Sequence, residues 1–411
     1  MGIVLRIFTL ILLIINPVSI LSIDSDSFQN YPFLSLKYNY IQFYDKSSLK
    51  KFNYAIQRIN ERKLIVLHIG DSHLQNDDYP GKIRLNLQEL WGYGGRGIMV
   101  PFSAAGTYSN KSYTTEHTGE WEFSKNTMVN PKIPLGVSGF SIKTNNPEST
   151  LSFNFNNPQP EHYKILKIFS DPVGNAFNID ININDTIVKH KSINQNKPFI
   201  KLLIPSVTDK IILKLNKNEV NQKELIFYGM SLESELNQGM IWHNCGVDGA
   251  NFKSILRSTK FFNQAKSLKP DLIVIDLGTN DYAVEDILKP NLEFEMETII
   301  EKLKKENPGV SIVLNSTQDM SYKGKNLSSG REFLSLIKKI SKNQKIAFYN
   351  FFDVAGSEGS MQLWYENNLS RKDFIHLTTE GYHLKADLFS TALLNTIEIL
   401  KNKKNNSYII D

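Results

Sequence analysis

The chain has 411 residues, of which 41% are apolar and 11% aromatic, a composition typical of a globular protein that buries a core. Its formal charge of +5 comes from lysines and acids mixed along the whole length, which is too weak and too scattered to indicate nucleic-acid binding. The single cysteine, Cys245, excludes an internal disulfide and a thiolate metal cluster.

The first 22 residues have the parts of a secretory signal peptide. Arg6 lies near the start, an apolar run covers residues 7–15, and Ser22 is the small residue of a cleavage site. The alternative is an uncleaved N-terminal anchor, because the residues before Ser22 match the usual cleavage pattern poorly. No second long apolar stretch follows, so we expect an exported, periplasmic or extracellular protein without a membrane span after cleavage.

Residues 23–106 begin with an α/β pattern. The run KLIVLHI at residues 63–69 is short, almost continuously apolar and rich in β-branched residues, which predicts a buried parallel strand. Residues 80–90 predict a helix, and the glycine-rich residues 92–97 predict a turn.

Residues 107–235 predict an inserted β domain. Short segments, several of them alternating, are separated by Asn, Asp, Pro and Gly, as in a β-sandwich. The predicted strands are residues 139–144, 151–155, 165–169, 177–183, 199–204, 211–215 and 225–230.

Residues 236–401 return to the α/β pattern, and residues 402–411 predict a frayed tail. Predicted strands at residues 271–277, 310–315 and 346–351 alternate with predicted helices at residues 252–268, 292–306, 329–341 and 379–400. Such alternation indicates a parallel sheet with helices on both faces. The fold class is therefore α/β, with one parallel-sheet domain interrupted by an inserted β-sandwich.

Four small polar clusters lie where this sheet would bind a ligand. Ligands of open parallel sheets gather outside the carboxyl ends of the strands. Strand 63–69 leads into GDSH at residues 70–73, and strand 271–277 leads into GTND at residues 278–281. NCGVDGAN covers residues 244–251, and DFIH at residues 373–376 precedes the last helix. Each cluster alone is ordinary turn sequence, but their order and spacing on one scaffold are specific.

These four segments resemble the sequence blocks of the SGNH (GDSL) hydrolases. The resemblance covers roughly residues 63–105 and 242–400, and it implies a three-layer α/β fold and a serine esterase. It implies a catalytic serine at Ser72 with His376 and Asp373, and a supporting role for Asp71. GTND matches the asparagine block with Asn280, and we expect Asp281, the next residue, to have a supporting role.

The residue types agree with that chemistry. A serine hydroxyl needs a base to take its proton, and His376 is the candidate base. Asp373, three residues earlier, could fix the tautomer of the imidazole and stabilise the imidazolium. The backbone amides of Ser72 and Gly246 and the side chain of Asn280 would bind the oxyanion. Glycine at position 246 would allow close approach because it has no Cβ.

The other histidines have weaker signals. His73 stands where GDSL sequences more commonly have leucine, so it could shape the pocket or serve the structure. His68 lies inside a predicted strand and is expected to be a packed core residue. No histidine pair has convincing metal-ligand spacing, so we predict no metal, and nothing in the sequence implies a cofactor.

A narrower resemblance concerns one subgroup, the exported O-acetylpeptidoglycan esterases. It is carried by GDSH, GRGIMVPFSAAGT at residues 95–107, the β-rich insert, and GSMQLWYENNLSRKDFIHLTTEGY at residues 359–382. In that subgroup the insert resembles a carbohydrate-binding module. The alternative for the insert is a spacer or an oligomerisation domain. Trp121 or Tyr163 could stack on sugars, although aromatic residues of a sandwich more often form its core.

The sequence therefore favours an exported serine esterase that removes acetyl groups from a cell-envelope polysaccharide, with O-acetylated peptidoglycan as the first candidate substrate. Alternatives within enzymes are an esterase for another acetylated glycan, an acetyltransferase that uses the same acyl-enzyme, and a lipase-like esterase. The alternative outside enzymes is a glycan-binding envelope protein on a hydrolase scaffold.

Overall fold

The computed structural model of the protein describes residues 25–171, 175–184, 186–191 and 197–401. The predicted signal peptide and the predicted tail lie outside these residues. Three short 3-10 helices, Ser25–Asn30, Leu36–Tyr38 and Lys46–Leu49, precede the first α-helix. In the part of the chain that is described, no helix is both long enough and apolar enough to cross a membrane.

The strands are numbered in chain order. They are β1 (Leu64–Gly70), β2 (Tyr93–Met99), β3 (Tyr113–Thr118), β4 (Glu122–Lys125), β5 (Phe140–Thr144), β6 (Thr150–Phe155), β7 (Ile165–Ser170), β8 (Asn178–Ile183), β9 (Thr186–His190), β10 (Phe199–Leu203), β11 (Lys210–Asn216), β12 (Leu225–Glu233), β13 (Met240–Gly246), β14 (Leu272–Asp276), β15 (Ser311–Asn315), β16 (Ser321–Tyr322), β17 (Lys325–Asn326) and β18 (Ala347–Tyr349).

The helices follow the same numbering. They are α1 (Lys50–Gln57), α2 (Ser72–Gln75), α3 (Asp78–Trp91), α4 (Phe252–Leu256), α5 (Phe261–Leu268), α6 (Thr279–Tyr282), α7 (Leu292–Glu306), α8 (Ser329–Gln344), α9 (Phe351–Val354), α10 (Ser360–Glu366) and α11 (Thr379–Lys401). The predicted helix at residues 252–268 is interrupted and forms α4 and α5.

A parallel sheet forms the centre of the α/β part, in the order β2-β13-β1-β14-β15-β18. Its strands read as continuous apolar runs because both faces are covered. Along β1, Val66 packs into one apolar cluster with residues of α3 and α11, and Leu67 and Ile69 pack into the cluster on the other side with residues of α4, α5, α7 and α8. The predicted α/β architecture with helices on both faces is therefore confirmed.

Strand β2 differs from the sequence prediction, which placed a turn at residues 92–97. Its glycines are required by close packing against neighbouring backbones. A Cβ added to Gly97, which has φ +83°, would lie 2.6 Å from the carbonyl oxygen of Trp242. Glycine at this position therefore permits a close strand approach, although the local sequence resembles a turn.

The insert contributes strands to two sheets. All seven segments predicted as strands are strands, and β3, β4 and β9 are additional. β3, β6, β8, β9 and β11 form a separate antiparallel sheet, whereas β4, β5, β7, β10 and β12 extend the central sheet beyond β2. In this extension β12 pairs antiparallel with β2, with Met230 opposite Met99. The insert is therefore joined to the α/β part by main-chain hydrogen bonds and by a shared apolar core.

Candidate active site

Ser72 lies where β1 turns into the short helix α2. Gly70 ends the strand, and a Cβ there would lie 2.8 Å from the carbonyl oxygen of Asp276. Asp71 is the N-cap of α2, and its Oδ1 accepts the amide hydrogen of His73 at 3.0 Å. Asp and Ser suit this junction because a capping carboxylate satisfies a free amide of the first helical turn. Ser72 is thereby held at the carboxyl edge of the central sheet.

A hydrogen-bonded chain joins Ser72 to His376 and Asp373. Ser72 Oγ lies 3.0 Å from His376 Nε2, and His376 Nδ1 lies 2.8 Å from Asp373 Oδ2. The histidine and aspartate side chains are 33% and 46% exposed. This arrangement brings together three residues from sequence clusters that lie 304 positions apart. It has the geometry of a nucleophile, a base and an orienting acid.

Asp373 is held by its own backbone as well as by His376. Its Oδ1 accepts amide hydrogens from Ile375 at 3.0 Å and from His376 at 2.9 Å. Burial works against ionisation, but these amides and the His376 ring hold the pKa of Asp373 below its ordinary value. Asp373 is thus ionised at neutral pH and accepts the Nδ1 proton. The Nε2 lone pair is then free to take the proton of Ser72.

The turn that carries His376 includes one strained residue. Phe374 has φ +56°, a left-handed conformation that a bulky side chain rarely adopts. Its ring packs against Tyr365 with the centroids 4.8 Å apart. Strain of this kind persists only where surrounding contacts fix it, and it is common at functional sites.

Asn280, the predicted oxyanion donor, lies at the same edge. It belongs to α6, directly after β14, and its Nδ2 donates to the carbonyl of Ala250 at 3.0 Å and to Asp71 Oδ2 at 3.4 Å. Both contacts orient the amide of Asn280 beside the residue that precedes Ser72.

The predicted role of Gly246 does not fit the structure. Its amide donates to Asn244 Oδ1 at 3.1 Å, and a Cβ at this position would lie 2.5 Å from Leu74 Cβ. Gly246 thus allows β13 to pack against α2, and its amide hydrogen is already used. Gly249 is exposed, has φ +77°, and its amide donates to no partner within the described ranges. Gly246 is packed closely against α2 and Gly249 is not, a difference that the sequence alone does not reveal.

Gly249 is flanked by residues that reach the other site elements. The Asp248 amide donates to Gln75 Oε1 at 2.7 Å, and Gln75 is the last residue of α2. The Ala250 carbonyl accepts from Asn280. The segment that contains Gly249 therefore connects α2 to α6 at the edge of the site.

Two buried carboxyls support this edge. Burial raises the pKa of Asp71 to about 7 and the pKa of Asp281 to about 8. Asp281 Oδ1 accepts the amide hydrogen of Phe252 at 3.2 Å, at the start of α4. Both residues link neighbouring elements, and their supporting roles in catalysis stay a prediction.

His73 lies behind His376 in a network that the sequence did not predict. The rings of the two histidines are 5.3 Å apart at 33°. Gln318 Nε2 lies 3.3 Å from His73 Nε2 and donates to the Ile375 carbonyl at 2.9 Å, while His73 Nδ1 lies 2.9 Å from the Tyr382 hydroxyl. With Gln318 as donor, the His73 proton resides on Nδ1. Burial holds the pKa of His73 well below its usual range, so this ring is neutral.

His68 is a core residue, as expected. It is fully buried against Trp242, whose Nε1 donates to its Nδ1 at 3.2 Å, and its Nε2 lies 3.7 Å from Asp276. Asp276 is also paired with the buried Lys385, with Nζ 3.6 Å from Oδ2. This charged cluster lies inside the fold, beneath the end of β14.

Other candidates have structural positions. Cys245 is buried, and burial raises the pKa of its thiol, so it is not an activated nucleophile. Tyr163 is buried in the core, whereas Trp121 is partly exposed and donates from Nε1 to the Thr118 carbonyl at 3.0 Å. Among the described residues, no group of three His, Cys, Asp or Glu side chains is placed to hold a metal ion.

Comparisons with known proteins found similarity in part of the sequence and in the fold. Residues 227–384 match the model of the GDSL-like Lipase/Acylhydrolase family. A solved structure of a peptidoglycan O-acetylesterase superposes with a TM-score of 0.72 and 17% identity, over 87% of this chain and 99% of that chain. A family two carbohydrate esterase from Clostridium thermocellum superposes with a TM-score of 0.32 and 11% identity, over 68% of this chain and 99% of that chain. No curated protein sequence matches the chain.

The fold is an α/β fold built on a largely parallel sheet. The C-terminal α/β part of the chain is thus similar in sequence to the GDSL-like Lipase/Acylhydrolase family, and the whole fold is similar to that of a peptidoglycan O-acetylesterase.

Proposed function

We propose that this esterase is exported and removes O-acetyl groups from a cell-envelope polysaccharide, with O-acetylated peptidoglycan as its substrate. The hydrogen-bonded chain Ser72–His376–Asp373 is the observation that carries the proposed reaction. The likeness in fold to a peptidoglycan O-acetylesterase, which extends over the insert, supports the choice of substrate. The signal-like residues 1–22 support export.

In the proposed first step, Ser72 Oγ attacks the acetyl carbonyl carbon while His376 Nε2 takes the hydroxyl proton. The carbonyl oxygen becomes an oxyanion that accepts hydrogen bonds from the Ser72 amide, the Gly249 amide and Asn280 Nδ2. Asn280 Nδ2 exchanges its long 3.4 Å contact with Asp71 Oδ2 for the oxyanion and keeps its bond to the Ala250 carbonyl. When this intermediate collapses, the bond to the sugar oxygen breaks. His376 returns the proton to that oxygen, and the acetyl group remains on Ser72.

In the second step, water attacks the acetyl-serine carbonyl and gives a proton to His376. The second tetrahedral intermediate releases acetate, and the proton returns to Ser72 Oγ. The partly exposed side chains of His376 and Asp373 support this step, because water and a polymeric substrate can both reach them. Asp373 stabilises the imidazolium that forms in each step.

The insert, residues 107–235, is proposed to form one wall of the substrate cleft. The position of the segment that follows β4, close to Gly249, supports this role. A Cβ at Gly249 would lie 3.6 Å from Thr127, two residues beyond the end of β4. The exposed ring of Phe123 lies on the same strand, and a Cβ at Gly106 would come within 2.9 Å of it. A polysaccharide that reaches Ser72 would therefore pass along the insert.

Acetate release from O-acetylated peptidoglycan, by the wild type beside Ser72→Ala, tests the proposal. Release by the wild type alone is expected. Equal release by both proteins would reject Ser72 as the nucleophile. If the wild type cleaves small acetyl esters but releases no acetate from peptidoglycan, the substrate must be another acetylated glycan.

A further inference from the structure

A buried glutamine contacts the turn that carries the proposed base His376. Gln318 lies on the segment that follows β15 and is 2% exposed. Its Nε2 donates to the carbonyl of Ile375, the residue directly before His376, at 2.9 Å. The amide of Ile375 donates to Asp373 Oδ1 at 3.0 Å. Both polar groups of the Ile375 backbone are therefore held by side chains, and one of these side chains comes from outside the turn.

The same amide group of Gln318 reaches His73. Gln318 Nε2 lies 3.3 Å from His73 Nε2, so its two hydrogens serve two acceptors, a backbone carbonyl and a ring nitrogen. On the other side of the ring, His73 Nδ1 lies 2.9 Å from the Tyr382 hydroxyl. Because Nε2 accepts, the single proton of the neutral imidazole resides on Nδ1 and is donated to Tyr382. Gln318 thereby fixes both the tautomer and the orientation of the His73 ring.

The ring of His73 lies against the ring of His376. The two ring centroids are 5.3 Å apart, and the ring planes are tilted by 33°. His73 is buried, whereas the side chain of His376 is 33% exposed. His73 is thus the buried neighbour that limits how far the His376 ring can turn toward the interior. This contact adds to the two hydrogen bonds that join His376 to Ser72 and Asp373.

The contact requires that His73 stays neutral. A protonated His73 would direct an Nε2 donor at the donor Nε2 of Gln318, and it would place a second positive charge beside the imidazolium that forms on His376. Burial and the charge of Lys385 hold the pKa of His73 well below its usual range. Asp276, which favours the protonated ring, is already paired with Lys385 at 3.6 Å. His73 therefore remains an acceptor for Gln318 while His376 takes up and releases its proton.

We propose that Gln318 is a positioning residue for the base. It holds the Ile375 carbonyl directly, and it holds the ring of His376 through His73. This inference rests on the proposed function, because it concerns the 3.0 Å contact between Ser72 Oγ and His376 Nε2. Among the described residues, Gln318 forms no hydrogen bond with either of these two side chains, so it acts through others and is not a catalytic residue.

The consequence of this arrangement is an effect on rate and not on substrate binding. Without Gln318, both the turn and the His73 ring lose a fixed partner, and the reactive contact between Ser72 and His376 is made in a smaller share of the molecules. A loss of this kind lowers kcat and kcat/KM equally. Leucine, the more common residue of GDSL sequences at the position of His73, would fill space there but could not accept a hydrogen from Gln318.

The test measures hydrolysis of 4-methylumbelliferyl acetate by the full chain and by Gln318→Met, which keeps the length of the side chain and removes both hydrogen bonds. We expect kcat to fall about tenfold, with KM within about twofold of the wild type. Gln264→Met is the matched control. Gln264 is a buried glutamine of α5 whose Oε1 accepts the Val137 amide hydrogen at 2.9 Å, outside the site. This control should lower the Tm and leave kcat unchanged.

A second pair of variants tests whether Gln318 and His73 act as a unit. His73→Leu should also lower kcat, and the double variant with Gln318→Met should be no more than about twofold slower than the slower single variant. If the two losses multiply instead, the shared network is wrong. Gln318→Glu keeps the shape of the side chain but offers at most one donor hydrogen, so it should also lose kcat even if Gln318→Met folds poorly.

The outcomes separate this inference from the proposed function. Wild-type kcat in Gln318→Met or in Gln318→Glu would overturn the positioning role while leaving the esterase intact. An equal loss of kcat in Gln264→Met would also overturn it, because the effect would then follow from the removal of any buried glutamine. If the wild type hydrolyses the ester no faster than Ser72→Ala, the proposed function itself is wrong.

Discussion

Replacement of Asp373 by Asn tests how the acid controls His376. Asp373 Oδ1 accepts two backbone amide hydrogens, so the introduced asparagine would keep its oxygen at that position and turn its NH₂ group toward His376 Nδ1. Nδ1 would then have to accept a hydrogen bond, and the imidazole proton would move to Nε2. Nε2 faces Ser72 Oγ at 3.0 Å, and a protonated Nε2 cannot take the serine proton.

The expected loss follows from two contributions. Returning the imidazole to its reactive tautomer breaks the new hydrogen bond, at a cost of about 1–2 kcal/mol. Loss of the charge-assisted bond from Nδ1, which is 2.8 Å long in the wild type, removes about 2 kcal/mol of imidazolium stabilisation. The sum of about 3–4 kcal/mol corresponds to roughly 10²- to 10³-fold in kcat. A fully buried acid of this type controls about 10⁴-fold, and the exposure of Asp373 accounts for the smaller value.

Asp373→Ala distinguishes this account from a simple loss of charge. Water can enter beside the half-exposed side chain and accept the Nδ1 proton, so the reactive tautomer survives. Asp373→Ala should therefore have a higher kcat than Asp373→Asn, yet a lower Tm, because it loses both amide contacts of Oδ1. Steady-state hydrolysis of an acetyl ester and thermal unfolding measure the two effects. A kcat for Asp373→Asn equal to or above that of Asp373→Ala would refute the tautomer argument.

Three further substitutions test other parts of the account. Lys385→Met should lower the free energy of unfolding by about 3–5 kcal/mol, because it leaves the buried Asp276 carboxylate without its cation. Urea unfolding measures this change, and a loss below about 1 kcal/mol would contradict the prediction. Asn280→Ala should lower kcat by about 10²- to 10³-fold with little change in KM, because an oxyanion donor acts mainly in the transition state. A rise in KM at constant kcat would instead assign Asn280 to binding of the substrate in the ground state. Burial raises the pKa of Asp71 to about 7 in the folded protein. Between the ordinary pKa of aspartate and this value, the folded protein binds a proton that the unfolded chain has lost. The free energy of unfolding of the wild type therefore falls as the pH rises between the two values. Asp71→Asn should therefore gain Tm relative to the wild type between pH 4 and pH 8, and a difference independent of pH would contradict the shift.

The sequence predicted the parts of the site that depend on local signals. GDSH and GTND directly follow apolar runs, so their place at the sheet edge could be derived from the strand pattern alone. The contact between Ser72 and His376 joins distant segments, and only the resemblance to a known family suggested it. The continuous apolar runs also predicted the central sheet, because burial on both faces removes the usual alternation.

The features that the sequence did not predict depend on long-range packing. Gln318 contacts His73 across 245 positions, and neither residue has a local pattern that indicates the other. Gly246 and Gly249 are indistinguishable as residue types, and only the approach of β13 to α2 shows that the first serves packing. The glycine-rich sequence of β2 was predicted to be a turn. Its glycines instead allow close approach to the backbone at Met240 and Trp242, and these residues lie too far along the chain for a local pattern to indicate the contact.

The most direct test of the central claim is trapping of the acyl-enzyme. The protein, incubated briefly with an acetyl ester and quenched in acid, should gain the mass of one acetyl group on the peptide that contains Ser72, and Ser72→Ala should gain none. An acetyl group on another residue, or an unmodified Ser72 peptide in a sample taken during the pre-steady-state burst, would contradict the assignment of Ser72 as the nucleophile.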